Sequence, residues 1–347
     1  MRLTEYSSGA GCGCKIAPAV LASILQTEQV GVLDKKLLVG NHTNDDAAVY
    51  DIGNGMATIS TTDFFTPIVD DPFYFGKIAA ANAISDVYAM GGKPFLSIAI
   101  LGWPVEKLSP SIAQQVLEGA RATCTEAGIS LAGGHSVDTA EPLFGLAVTG
   151  MVNIQHLKRN HTAQEGDLIF LTKPIGVGIL STAQKRGVIS STATDTMIQQ
   201  MSQLNSIGQS LGLIQGVTAM TDVTGFGLLG HLIEMTEGAG LSAEIYYATI
   251  PVIESCKEYL AQRMVPDATY RNWNSYSEKV QFEKGVNVME AFSLLPDPQT
   301  NGGLLFTVSP AAAEEAIELL KLHGYGQFVR PIGKMMAQQP KTIEVKI

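Results

Sequence analysis

Strand-like and helix-like stretches alternate along this chain without the strict strand–helix–strand rhythm of a doubly wound sheet, and hairpin-like pairs occur among them. Part-way along, the polar stretch KRNHTAQ at 158–164 interrupts the apolar pattern. Together these features predict an α+β protein of two domains, each a mixed sheet with helices on one face. Residues 16–157 make the first and 158–347 the second, with 1–15 as a flexible glycine-rich arm ahead of both. The length agrees, because 347 residues suggest about two domains. With 46% hydrophobic and 16% charged residues, the chain can fill two cores and is too apolar for disorder.

Local patterns place the elements. A helix is expected over 16–26, then the polar loop GNHTNDDA, then strands at 49–50 and 57–62 joined by the Gly53-Asn54-Gly55 turn. Residues 75–90 read as a helix stopped by Gly91-Gly92, 94–101 as an apolar strand, 108–128 as a helix and 143–152 as a strand. Between them Gly133-Gly134-His135-Ser136 reads as a turn. The second half opens with a strand at 168–172 and continues with one helix over 191–211 and a short strand at 218–220. It then has a helix over 228–236 ending at Gly238, and an amphipathic helix over 311–322.

Charge narrows the function classes. A net charge of −10 argues against nucleic acid as a partner, since phosphate backbones need a basic face. Nucleotides remain open, because a divalent metal can join carboxylates to phosphates. The four cysteines, Cys12, Cys14, Cys124 and Cys256, are too few for a disulfide scaffold and fit a reducing compartment. No apolar run approaches the ~20 residues of a membrane helix and no signal core opens the chain, so a cytoplasmic protein without a membrane partner is expected.

Three groups of residues can carry chemistry. The first is Gly9-Ala10-Gly11-Cys12-Gly13-Cys14-Lys15, two thiols and an amine on a backbone that glycine leaves free to bend. A nearby ammonium favours the reactive thiolate, so the strip reads as a delivery arm; a frayed chain end is the plain alternative. The second is the aspartates Asp45, Asp46, Asp63, Asp86 and Asp222. Most sit at element ends, where Asp often caps, but Asp86 lies inside an apolar helix and needs a partner or a metal. Asp45 and Asp46 cannot face the same way on extended backbone, so at most one would bind a given ion. The third is the pair of glycine turns 133–136 and 224–227, where backbone N–H groups can approach an anion. His135 could bind phosphate or ribose or simply bond carbonyls, His231 reads as structural, and the turn Asp297–Gly303 reads as a wall.

These stretches resemble the selenophosphate synthetase family: GAGCGCK at 9–15, NDDAAVY at 44–50, STTDFF at 60–65, NAISDVYAMGGKP at 82–94, LAGGHS at 131–136, LTKPIGVGIL at 171–180, TDVTGFGLLGH at 221–231 and DPQTNGGLL at 297–305. The resemblance spans the whole chain in order. It implies the aminoimidazole ribonucleotide synthetase-like fold, a homodimer joined through N-terminal strands, and conversion of ATP, selenide and water to selenophosphate, AMP and orthophosphate. That product would supply selenium for selenocysteine and selenouridine. Magnesium, in more than one ion, and potassium are the implied cofactors. By motif, Cys12 takes the catalytic cysteine position and Lys15 the essential lysine, which also meets the nucleotide. Asp46, Asp86 and Asp222 match metal ligands. Thr43, Asn44, Asp45, Asp63, Asp86, Gly134, His135 and Ser136 match nucleotide contacts. Asn301 stands where the family pattern leads us to expect serine.

Two other readings stay open on the sequence: a superfamily relative that uses ATP on another substrate, and a non-catalytic carrier of metal or selenium on Cys12 and Cys14. The first leaves the thiol pair without a task and the second leaves the aspartates without one. A selenium-delivery protein of the cysteine desulfurase or selenocysteine lyase type is the expected partner, although no docking motif is legible.

Overall fold

A computed structural model describes residues 2–7, 9–16, 18–25, 34–40 and 45–347, with Cys12, Cys14, Pro18, Ala19, Ala22 and Leu25 described by backbone alone. The first half holds helix α1 (Pro18–Leu25), strands β1 (Leu37–Val39), β2 (Ala48–Gly53) and β3 (Met56–Phe65), helix α2 (Pro72–Ala89), strand β4 (Lys93–Trp103), helix α3 (Pro110–Glu126), and strands β5 (Ser130–Asp138) and β6 (Leu143–Asn153). Its strands form one sheet in the order β1-β2-β3-β6-β4-β5, antiparallel except for β4 beside β5.

The second half holds β7 (Leu168–Leu171), α4 (Val177–Lys185), α5 (Ser191–Ser202), α6 (Ile207–Leu213), β8 (Val217–Asp222), α7 (Gly227–Ala239), β9 (Ser242–Tyr246), α8 (Cys256–Ala261), α9 (Asp267–Tyr276), β10 (Val280–Phe282), α10 (Val288–Leu294), β11 (Leu304–Val308), α11 (Ala313–Leu322), β12 (Gly333–Met336) and β13 (Ile343–Lys346). The second sheet runs β10-β13-β9-β12-β7-β11-β8 and is also mixed.

Helix α2 sits between the two halves and positions the site. Asp71 caps its first turn by accepting from Tyr74 N at 2.9 Å, Pro72 opens it, and Gly91 in the left-handed region (φ 72°) ends it. Every residue from Ile78 to Ala89 is buried, so the helix is enclosed on all sides. It packs on α3 and on the inner face of the first sheet, and it touches α5, α6 and β8 of the second half. The contact with α3 is close: a Cβ on Gly76 would lie 1.8 Å from Val116 O, and one on Gly119 1.8 Å from Phe73 O.

Several expectations need correcting. Gly133-Gly134-His135-Ser136 is not a turn but part of β5, because Ile100↔His135 and Leu101↔Ser136 pair in register with β4. The expected helix over 191–211 breaks at Gln203–Ser206. Lys173 and Asn301 take the Gln203 carbonyl, and Asn205 donates to Ser85 Oγ and Gly302 O. Side-chain bonds therefore replace the helix ladder at that point. Helix α7 runs past Gly238 and stops at Gly240, the residue with positive φ.

The described part of the arm is docked rather than loose. Leu3 is buried, Arg2 and Thr4 bond Asp70, and Lys185 donates to the carbonyls of Ser7 and Gly9. Gly11 N donates to Thr66 O, and Arg271 donates to Gly13 O. Gly11 has φ 52° and a Cβ there would meet Ile68 and Thr300 at 2.4 and 2.5 Å, so this position requires glycine.

Candidate active site

The first sheet and the second half close on a cleft of about 310 Å³ lined by carboxylates. Asp86 reaches it from α2, Asp222 from the end of β8, and Asp46 from the segment before β2. One carboxylate oxygen of each lies within 4.8 Å of the others. Thr221 Oγ1 donates to Asp46 at 2.7 Å, and Thr61 Oγ1 donates to Asp86. Asp46 Oδ2 and Asp222 Oδ2 are buried with no hydrogen-bond partner among the described residues. Bare charges cannot be left so, which makes this a set of hard oxygen donors suited to a divalent cation such as magnesium.

The electrostatics agree. Burial, then Asp222, push the Asp46 and Asp86 carboxyls well above the usual carboxylate range, and burial raises Asp222 too. Three anions this close are stable together only with protons or cations among them. One cation comes from the arm: Lys15 Nζ lies 3.6 Å from Asp63 Oδ2 and also acts on Asp86 and Asp222. A second is Lys173, fully buried, whose ammonium donates to Gln203 O at 2.7 Å and Asn301 O at 3.0 Å beside Asp222. Burial lowers its pKa to about 7.

The candidate residues are only partly brought together. Lys15, Asp46, Asp63, Asp86 and Asp222 share the cleft. Asp45 and Asp46 take different partners, although 46–47 form a bend ahead of β2 and the backbone there is not extended. Although Asp45 borders the cleft, its buried carboxylate accepts from Asn160 N at 2.8 Å and lies 3.2 Å from His161 Nδ1. It ties the two halves together. Gly134, His135 and Ser136 line a separate cavity on edge strand β5, three strands from β3 and so roughly 14 Å across the sheet. Thr43, Asn44 and the side chain of Cys12 lie outside the described residues.

Sequence reasoning missed the supports. Asn82 donates to Asp63 and accepts from Asn301 N, while Asn205 donates to Ser85, which bonds Asp222. Their spacing was a signal: Asn82, Ser85 and Asp86 form one polar stripe on an otherwise apolar helix. Asn301 has φ 48°, which Asn tolerates better than most residues, and its amide donates to Met201 O and Gln203 O. The Asp297–Gly303 turn is more than a wall. Asp297 accepts from Gly178 N, and Gln299 accepts from Gly176 N and Val177 N at the start of α4.

Residues 44–152 match the family described as AIR synthase related protein, N-terminal domain, and 164–346 match AIR synthase related protein, C-terminal domain. Across the whole chain, 53% of 347 residues are identical to a selenide, water dikinase of Photorhabdus laumondii, covering 98% of that protein. A selenide, water dikinase of Colwellia psychrerythraea is 54% identical over 345 residues, 99% of this chain and 98% of its own. The chain belongs to the selenide, water dikinase family. Solved structures show the same fold at lower identity. A thiamine-monophosphate kinase from Stenotrophomonas maltophilia matches with a TM-score of 0.65 at 18% identity, covering 96% of both chains. The hydrogenase maturation protein HypE in complex with ATP also gives 0.65 at 18%, covering 99% of this chain and 95% of its own. No helix of the described residues is long and apolar enough to cross a membrane.

Proposed function

We infer that the chain makes selenophosphate: ATP, selenide and water give selenophosphate, AMP and orthophosphate. The observation that carries this reading is the convergence of Asp46, Asp86 and Asp222 opposite Lys15, in a chain more than half identical to selenide, water dikinases from end to end.

The physical need is charge control. ATP carries about four negative charges and hydroselenide is itself an anion, so attack is opposed until the phosphates are screened. Asp46, Asp86 and Asp222 would hold magnesium, which supplies that screening when bound. Lys15 brings a further positive charge from the arm, and Asp63 orients it across their 3.6 Å ion pair. Cys12 is the thiol for selenium chemistry, three residues from Lys15 on the same strip. Thr43, Asn44, Asp45 and Asp63 are the nucleotide contacts on this reading, and potassium is a second cation.

Two observations support a homodimer. The outer face of the first sheet exposes Tyr50, Phe64, Ile98 and Met151, and β5 is an edge strand among the described residues. An uncovered apolar face beside an open edge is a typical surface for a second copy. One protomer keeps Gly134–Ser136 apart from the acidic cleft, and a second copy packed along β5 would reconcile both sets with one nucleotide. A selenium-delivery protein of the cysteine desulfurase or selenocysteine lyase type fits the scarcity of free selenide. Reduced, buried Cys124 and Cys256 suit a cytoplasmic setting. The test is anaerobic incubation with ATP, magnesium and potassium, with and without selenide. AMP and orthophosphate formed only with selenide support the reading, and nucleotide turnover indifferent to selenide refutes it.

A further inference from the structure

Glu234 is a cleft carboxylate that the reading above leaves without a task. Helix α7 carries it one turn beyond His231. Thr224 N lies 3.1 Å from His231 Nε2, and an amide nitrogen only donates, so Nε2 must accept. Burial holds the imidazole neutral, its pKa pushed down to about 3, so its one proton sits on Nδ1. Nδ1 faces Glu234 Oε2 at 3.6 Å. His231 therefore has no lone pair left for a substrate proton, and its Nδ1–H is turned toward the glutamate.

The remaining carboxylates of the cleft are committed. Asp46, Asp86 and Asp222 form the metal-binding set, Asp63 pairs with Lys15 and Asn82, and Asp45 is tied to Asn160 and His161. Glu234 is 21% exposed, within reach of water. The two acceptors also differ in their needs. Hydroselenide is already an anion at neutral pH and attacks without help, whereas water must lose a proton as it attacks.

We propose that Glu234 is the general base that activates the water acceptor. This rests on the reading that water is the second phosphoryl acceptor. After the first transfer leaves ADP, the Glu234 carboxylate takes one proton from water as the water oxygen forms a bond to the terminal phosphorus. The bond from that phosphorus to the bridging oxygen breaks, AMP leaves with the electron pair, and orthophosphate forms. The proton then passes from Glu234 to solvent through the open cleft. Burial and Glu237 raise the Glu234 carboxyl while Lys15 and Lys279 lower it, and the balance near 7 suits a base working at neutral pH.

The test is the nucleotide partition in Glu234→Gln with ATP, magnesium, potassium and selenide under anaerobic conditions. Wild type is expected to end at AMP. The variant is expected to accumulate ADP alongside selenophosphate, with conversion of ADP to AMP slowed by about 10²–10⁴-fold. Glu234→Asp should recover part of the AMP. Thermal melting and binding of a non-hydrolysable ATP analogue check the fold; if the glutamine variant unfolds, a smaller shift toward ADP than the one expected of Gln must still appear in Glu234→Asp. An unchanged AMP-to-ADP ratio, or joint loss of selenophosphate and AMP in a folded variant, overturns the proposal alone. A wild type that makes no selenide-dependent AMP overturns the functional reading and this proposal with it.

Discussion

At the residue scale, the decisive feature is that three carboxylates from three separate segments meet, with two of their oxygens unpartnered among the described residues. Asp45, by contrast, accepts from the Asn160 amide. Asp222→Ala should therefore lower AMP formation by at least about a hundredfold, the scale expected when one element of charge stabilisation is lost. Activity within tenfold of wild type would contradict that role. Cys12→Ser should separate two functions: selenophosphate formation falls while equilibrium binding of an ATP analogue stays near wild type. A matching loss of nucleotide binding would make the strip a structural part of the nucleotide site. Lys15 and Asp86 were legible in the sequence because an amine beside thiols and a charge inside an apolar helix are both anomalies. Glu234 was not, because an acid on a helix normally reads as a solvated face.

At the element scale, α2 transmits the order of the fold to the site. Its close contact with α3 depends on Gly76 and Gly119, where an added Cβ meets backbone oxygen rather than a yielding side chain. Gly119→Ala should cost about 1–3 kcal/mol, the usual penalty of overpacking, and lower the melting temperature accordingly. A melting temperature equal to wild type would show that the helices separate freely. The turn before β11 makes a pH prediction. Burial pushes the Asp297 carboxyl up to about 8, against the lowering effect of Gln299 and of the Gly178 and Ile179 amides. The native state thus keeps a proton that the unfolded chain has lost above its ordinary pKa of 3.8. This contribution is full at low pH and fades as pH rises from about 4 toward 8. The stability of Asp297→Asn relative to wild type should then rise across that window, by up to about 1.4 kcal/mol per pH unit. Denaturant melts at pH 5.5 and 7.5 decide it, and parallel shifts in the two proteins would contradict it.

At the scale of the molecule, two mixed sheets were readable from irregular alternation and the polar break at 158–164, since both patterns are local. What joins the halves was not. The break in the 191–211 helix depends on Asn205 finding Ser85 and Gly302, partners far away in the chain. The placement of GGHS in a strand depends on pairing with β4, which no local glycine pattern announces. The exposed face of the first sheet is likewise a property of the assembled sheet. Ile98→Lys, placed on that face, should convert a dimer to monomers in analytical ultracentrifugation while the fold persists; a wild type already monomeric at micromolar concentration would remove the dimer from the account. On the proposed reading this acidic cleft transfers phosphoryl from ATP to selenide. Phosphorus NMR of an anaerobic mixture of protein, ATP, magnesium, potassium and selenide tests it most directly. A new phosphorus–selenium resonance is expected to grow together with AMP and orthophosphate and to be absent without selenide. Intact ATP, or AMP formed with no such resonance, in a folded and nucleotide-binding sample would contradict it.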